Sequence, residues 1–571
     1  MCDTQARLLR ACVALVPYTS MRIGLVQLNP VVGDIIGNTE RLQTAIAQFD
    51  AEIILTPEMS ICGYPPRDLL CNKDFVRACE QAVLQIACTC PDKLVVLGHP
   101  RIDASTGRVR NSASVIYGGE IIEVSDKQLL PSYDVFDEKR YFETGQKIST
   151  FTIDETKIGI AICEDFWQGN DADVAPTYDI NPVQELVEEG CKIILSPSAS
   201  PFVTSKHSSH LQYALQVAQE NNVIIAMCNQ VGGNDDLVFD GGSFVVSSNG
   251  LLGELPLFDT GSVTVDLNTV PVEPTLLPSE QEQWKALVLG TKDYVQKTGH
   301  SKVILGISGG IDSALVATIA VAALGADSVQ GVLMPSRYSS RGSIEDAERL
   351  ASNLGVCTDT LPIEHLHAAF ERTFSDGCIN PTSLTEENAQ ARIRGLLLMA
   401  LTNSNGSLLL ATGNKSELAV GYSTLYGDMN GAISVIGDVY KTDVWALSNW
   451  VNQNYEICGF SSAPIPENSI SKPPSAELRP DQCDQDSLPE YDELDSVLRL
   501  HIDHELGIED IKDALPVSSE RITKIVRMVD IAQFKREQAS VIFKISPRTF
   551  GRGRRMPIVM KRSWVNVRET L

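Results

Sequence analysis

Residues 303–315 read Val-Ile-Leu-Gly-Ile-Ser-Gly-Gly-Ile-Asp-Ser-Ala-Leu: an apolar stretch stops at Ser308-Gly309-Gly310, and an apolar helical pattern opens near Asp312 and runs toward Leu324. A strand that feeds a glycine turn and then a helix is suited to phosphate. The glycines let backbone N–H groups approach the oxygens, and the helix N-terminus favours negative charge. No lysine follows the second glycine, so this is not the common P-loop. A second stretch, Ile158-Gly-Ile-Ala-Ile-Cys163-Glu-Asp-Phe-Trp167, places a cysteine at the end of another apolar run. Glu58, in Leu55-Thr-Pro-Glu58-Met-Ser60, and Lys127, in Lys127-Gln-Leu-Leu-Pro-Ser-Tyr133, also follow strand-like segments. A thiol, a carboxylate and an ammonium at strand ends are the residue types of nucleophilic amide chemistry.

The elements that must position these groups fall into two halves. A chain of 571 residues exceeds one ordinary core and predicts at least two large domains. Asn268-Thr-Val-Pro-Val-Glu-Pro-Thr-Leu-Leu-Pro278 reads as a connector, which predicts domains at 21–267 and 281–571 around a linker at 268–280. In the first half, strand-like segments at 22–28, 52–56, 93–98, 157–162, 192–195 and 223–227 alternate with helical ones. Hairpins are expected at Gly118-Gly119 and Asn249-Gly250, which predicts a layered α/β domain with much antiparallel pairing. In the second half, strand and helix alternate as in a doubly wound parallel sheet. Residues 462–490 form a polar stretch that reads as a lid or a disordered loop.

Composition narrows the class. Apolar residues make up 43% of the chain, and no apolar run is long enough to span a bilayer. The formal net charge of −26 argues against a general nucleic-acid or anionic-membrane binder. The 14 cysteines lack zinc-type spacing and read as reduced thiols, which places the protein in the cytoplasm. Residues 1–20 read as an extension outside the fold, since a clean strand opens only at Met21.

Ser308-Gly309-Gly310-Ile311-Asp312-Ser313 resembles the SGGxDS loop of the N-type ATP pyrophosphatases, which split ATP to AMP and pyrophosphate while activating a carbonyl. Glu58, Lys127 and Cys163, in that order, resemble the nitrilase superfamily of C–N hydrolases, and so do Gly63-Tyr-Pro-Pro66, Phe136-Asp-Glu138 and Asn229-Gln-Val-Gly-Gly233. This resemblance implies an α-β-β-α sandwich in which Glu58 takes the thiol proton, Cys163 attacks the amide and Lys127 steadies the oxyanion beside a backbone N–H near Glu164. It also implies that Tyr133, Ser200 and Lys206 line the amide pocket; the segment 168–182 is an insert-like departure that shifts the register toward Ser200.

An amidase that frees ammonia and a domain that makes an adenylate together suggest glutamine-dependent amide formation. Met334-Pro-Ser-Arg-Tyr-Ser-Ser340, Glu387-Asn-Ala-Gln-Ala-Arg-Ile-Arg394, Ala411-Thr-Gly-Asn-Lys-Ser-Glu417, Gly437-Asp-Val-Tyr-Lys-Thr442 and Lys472-Pro-Pro-Ser-Ala-Glu-Leu-Arg-Pro-Asp481 resemble the glutamine-dependent NAD synthetase family. GMP and asparagine synthetases pair their ATP pyrophosphatase with other glutaminases. The family resemblance implies ATP, glutamine and nicotinate adenine dinucleotide as substrates and Mg²⁺ as cofactor. ATP falls to Gly306, Ile307, Ser308, Gly309, Gly310, Ile311, Asp312, Ser313 and Thr412, and the deamido dinucleotide to Asn388, Glu417 and Lys535. The same resemblance makes Arg392 and Lys441 phosphate-contact candidates and Asp312 and Glu417 candidate Mg²⁺ ligands. It further implies a homo-oligomer paired through the synthetase domain, and an interior passage for ammonia.

Overall fold

The structure, a computed structural model, describes residues 21–167 and 178–561; the expected extension at 1–20 and most of the 168–182 segment lie outside the described residues. The described residues form two compact units that divide between Pro278 and Ser279. Ser279 and Glu280 already belong to a helix, Ser279–Lys297, rather than to the expected connector. Glu280 and Glu282 in its first turn suit the positive end of the helix dipole.

The first unit rests on two six-stranded sheets. One runs in the order β14 (Gly261–Asp266), β1 (Arg22–Gln27), β2 (Ile53–Leu55), β3 (Leu94–Ile102), β4 (Val109–Tyr117), β5 (Glu120–Asp126). The other runs β13 (Gly250–Glu254), β12 (Phe244–Ser247), β9 (Ile224–Asn229), β8 (Ile193–Ser198), β7 (Thr156–Ile160), β6 (Ser149–Ile153). A ribbon of β10 (Val231–Asn234) and β11 (Leu237–Asp240) stands beside them. Both expected hairpins are present, β4 with β5 and β12 with β13.

Period-two alternation explains the layering. Leu25, Leu55, Val96 and Val115 of one sheet meet Ile158, Leu195, Ala226 and Val245 of the other in a shared core. The neighbouring residues Val26, Ile54, Val95 and Leu97 point the other way, onto the helices Ile35–Ala47 and Lys73–Thr89. On the far side Ile194, Ile225 and Met227 pack on Pro182–Glu188 and Lys206–Asn221. Helix, sheet, sheet, helix is the expected sandwich. The central parallel strands are apolar on both faces because both are covered.

The second unit carries one parallel sheet in the order β17 (Cys357–Thr360), β16 (Val329–Leu333), β15 (Val303–Gly306), β18 (Leu408–Ala411), β19 (Ile433–Ser434), β20 (Val541–Ile542). The chain builds outward from β15 to β17, then returns to the other side of β15 as β18. The carboxyl ends of β15 and β18 therefore flank a topological switch point, where α/β sheets open a crevice. The Ile311–Leu324 helix after β15 is buried almost all round, which its run of Ala, Val, Leu and Ile requires. Residues 462–490 are neither bare nor patternless: they include the short helix Glu467–Ser471.

Candidate active sites

Three strand exits of the first unit bring Glu58, Lys127 and Cys163 into one buried cluster. Lys127 follows β5 directly, and its Nζ donates to Glu58 Oε1 at 2.8 Å and to Glu138 Oε1 at 2.9 Å. Asn111 Nδ2 also donates to Glu58 Oε1 (2.6 Å), while the Ala199 N–H reaches Glu58 Oε2 (3.1 Å). Cys163 lies just beyond β7 with a left-handed φ of 46°, and Ser198 Oγ donates to its sulfur at 3.3 Å. Holding a non-glycine residue there costs of order 1–3 kcal/mol, and such strain is found where a side chain must be presented.

Charge is finely divided in this dry space. Burial, reinforced by Glu58, pushes the Cys163 thiol up, and Lys127 opposes the shift. Burial pulls the Lys127 ammonium down, but Glu138, Glu58 and Cys163 outweigh it and hold it well above its ordinary value. Glu138 is pushed up to about 7, first by burial and then by Glu58, against the pull of Lys127. Burial thus favours the neutral thiol, with the Glu58 and Lys127 side chains acting on it in opposite directions.

The three pocket candidates surround the same cluster. Tyr133 donates to both oxygens of Glu164 (3.1 Å each), and Tyr178 donates to Glu164 Oε1 (2.7 Å). Lys206 Nζ donates to Ser200 Oγ at 2.9 Å. The buried Glu164 carboxylate, held high by desolvation, lies within the field of the half-buried Lys206. An acidic and a basic side chain within one another's field suit a zwitterionic amino acid. Sequence reasoning missed Asn111, Glu138 and the Glu164 side chain as site residues. For Glu164 the signal was available, since two acids directly after a strand-end cysteine are unusual in an apolar setting.

In the second unit, a cavity of about 360 Å³ opens at the switch point. Gly306, Ile307, Ser308, Gly310, Ile311, Asp312, Ser313, Thr412, Glu417 and Lys441 all line it. Gly309 lies behind them: its φ is +79°, and a Cβ would stand 2.1 Å from the Ser343 carbonyl oxygen, so only glycine fits. The two serines tie the turn, Ser308 N–H and Ser313 Oγ pairing at 3.2 Å and Ser313 Oγ donating to Gly310 O at 3.0 Å. The N–H groups at the start of the Ile311–Leu324 helix border the cavity.

Lys441 Nζ donates to Asp312 Oδ2 at 2.5 Å and lies 3.6 Å from Glu417 Oε1. Burial lowers its pKa, but Asp312 and Glu417 raise it further. Glu417 is pushed up to about 8 by burial and by Asp312, with Lys441 opposing. Asn414, unforeseen from sequence, holds both carboxylates in place. Its Nδ2 donates to Asp312 Oδ1 (2.9 Å), and its Oδ1 caps the helix bearing Glu417 (2.9 Å). Two facing carboxylates fit a hard cation that also takes phosphate oxygens. Among the described residues no group of three or more His, Cys, Asp or Glu is placed to hold a metal ion.

Three candidates stand elsewhere. Asn388, Arg392 and Lys535 are not in the cavity lining; they hold the turn beside it, bonding to Thr424 Oγ1, Leu425 O, and Gly421 O with Ser423 O respectively. Arg392 is exposed, and the lining arginine is Arg394, which donates to Met334 O at 3.1 Å. Two residues apart on a helix means roughly opposite sides, so packing chose between them. Residues 472–478 of the polar stretch also line the cavity. Glu477 there accepts from Ser340 N–H and Ser343 Oγ, and Lys472 donates to Asp346 Oδ2.

A four-layer sandwich with a buried Glu–Lys–Cys cluster, followed in the chain by a parallel-sheet unit with a glycine turn at its switch point, defines the class: a nitrilase-like unit followed by a doubly wound α/β unit. The carbon-nitrogen hydrolase family model matches residues 22–274, and the NAD synthase model residues 283–539. The chain is 45% identical to the glutamine-dependent NAD(+) synthetase of a Synechocystis species, covering 94% of this chain and 98% of that one. It is 40% identical to that of Thermotoga maritima over the same shares. The solved glutamine-dependent NAD+ synthetase of Acinetobacter baumannii, in complex with ADP, superposes with a TM-score of 0.74 at 37% identity, covering 95% of this chain and 98% of that one. The chain belongs to the glutamine-dependent NAD(+) synthetase family. Among its described residues no helix is long and apolar enough to cross a membrane.

Proposed function

We propose that the chain converts nicotinate adenine dinucleotide, ATP, glutamine and water to NAD, AMP, pyrophosphate and glutamate, with Glu58, Lys127 and Cys163 as the glutaminase residues. The convergence of these three side chains at the exits of β2, β5 and β7 carries the reading. Cys163 Sγ attacks the glutamine amide carbon as Glu58 takes the thiol proton and passes it to the departing ammonia. Lys127 and a backbone N–H near Glu164 steady the oxyanion, and Glu58 then activates water against the thioester. Glu164 meets the substrate ammonium and Lys206, with Ser200, its carboxylate; Tyr133 borders the same pocket.

In the second unit the nicotinate carboxylate attacks the ATP α-phosphate, pyrophosphate leaves, and ammonia displaces AMP from the NAD-adenylate. Positioning and charge neutralisation serve this half. The loop from Gly306 to Ser313 receives the phosphates, Lys441 pairs with their charge, and Thr412 borders the nucleotide. Asp312 and Glu417 would hold Mg²⁺, which when bound neutralises phosphate charge. Asn388 and Lys535 serve the dinucleotide site through the turn they brace. A homo-oligomer paired through this unit belongs to the same reading, and sedimentation velocity reads it.

The test compares NAD formation from glutamine and from ammonium, for the parent and Cys163→Ala. Loss with glutamine alone supports the two-site reading. A parent protein that makes NAD from neither donor sinks it.

A further inference from the structure

Asp165 has no part in the chemistry above, yet the residue is only 2% exposed and its carboxylate accepts three backbone N–H groups. Oδ1 accepts the backbone N–H groups of Gln128 (2.9 Å) and Leu129 (2.7 Å). Oδ2 accepts the N–H of Ile162 at 3.2 Å. Gln128 and Leu129 directly follow Lys127 at the exit of β5, whereas Ile162 directly precedes Cys163 at the exit of β7. Those strands belong to different sheets.

Each segment also has anchors nearer home. Lys127 exchanges backbone bonds with Asn111 O and the Gly145 N–H, both 2.8 Å, and Ala161 N–H reaches Leu195 O at 3.0 Å. None of those three bonds relates the lysine segment to the cysteine turn; the Asp165 carboxylate does. A carboxylate is also the group required. Three N–H donors approach two oxygens, and an amide of the same shape would turn an NH₂ group toward at least one of them.

We propose that Asp165 is a positioning residue for the amidase reaction, setting the Lys127 ammonium against the Cys163 sulfur by accepting N–H groups from both segments. The proposal rests on the Glu58–Lys127–Cys163 reading. Asp165 touches neither substrate nor a reacting atom, so its removal acts on the rate of acylation and not on glutamine affinity. A displacement of about 1 Å costs on the order of a hundredfold in rate.

The experiment uses the full chain and compares the parent, Cys163→Ala, Asp165→Asn and Asp165→Ser. Ammonium-driven NAD formation serves as the internal control, and unfolding curves give the folded fraction. Expected for Asp165→Asn is a fall of about a hundredfold in glutamine-driven kcat per folded molecule, with KM for glutamine within about twofold of the parent and ammonium-driven synthesis kept. A parent-like kcat per folded molecule with only a lowered midpoint overturns the proposal and makes Asp165 a structural anchor. So does failure of both variants to give a folded first unit, and so does a raised KM at unchanged kcat. If Cys163→Ala still uses glutamine, the underlying triad reading falls as well. If it does not, while Asp165→Asn keeps the parent rate, this proposal alone fails.

Discussion

Lys127 Nζ lies 2.8 Å from Glu58 Oε1, and each side chain is 1% exposed. The same ammonium holds Glu138 at 2.9 Å, so one buried cation serves two carboxylates. Such a group is electrostatically expensive to assemble and more expensive to break.

Lys127→Met leaves Glu58 and Glu138 without their shared cation. The expected cost is about 3–5 kcal/mol of first-unit stability, together with loss of glutamine-driven NAD formation. Glu138→Gln keeps the Lys127–Glu58 contact and costs less in stability. Urea unfolding read on both variants, beside the glutamine and ammonium assays, checks the order. Equal stabilities for the two would contradict the shared-cation picture.

Gly309→Ala tests the loop of the second unit. The new methyl would meet the Ser343 carbonyl at 2.1 Å on a backbone with φ +79°. A backbone oxygen cannot move aside cheaply, so strain of about 1–3 kcal/mol is expected. NAD formation should drop with both nitrogen donors, while glutamine hydrolysis by the first unit survives. Retained ammonium-driven synthesis would show that the turn tolerates a Cβ.

Lys441→Met removes the positive charge that the structure sets between Asp312 and Glu417. ATP-dependent pyrophosphate exchange should fall about a hundredfold, the scale of losing one preorganised charge from a reacting centre. Glutaminase kinetics should be unchanged. Exchange at the parent rate would place Lys441 outside the phosphate chemistry.

His99, buried beside the Glu58 strand exit, gives a pH signature. Burial lowers it from 6.5 to about 4, with Pro100 O at 3.0 Å and Ser114 Oγ at 2.7 Å from its ring nitrogens. Between those values the unfolded chain takes up a proton that the folded one refuses. The stability it secures is therefore intact above pH 6.5 and is lost as pH falls toward 4, about 3 kcal/mol in all. Urea midpoints of the parent and His99→Gln, measured from pH 7 to 4.5, should converge on acidification. A constant difference would mean that another group titrates.

Much of the site was legible because its needs are local. A positive-φ glycine before a helix, a cysteine just past a buried strand and an acid just past another each leave a mark within a few residues. The same holds for the sheets, where apolar strands covered on both faces read as unbroken runs of Ile, Leu and Val. The ligand side of the second unit was less legible. Arg392 and Arg394 share a helix and a charge, and only packing turned Arg394 inward.

From sequence alone came the order of Glu58, Lys127 and Cys163, the phosphate-type loop and the two-part division of the chain. Tertiary structure alone decided that Lys127 would hold Glu138 as well as Glu58, that Asn414 would hold both Asp312 and the helix of Glu417, and that Asp165 would tie β5 to β7. The reason is physical. A backbone conformation is paid in residues next to it, whereas the partner of a buried charge is whichever group the packing of distant strands delivers within about 3 Å.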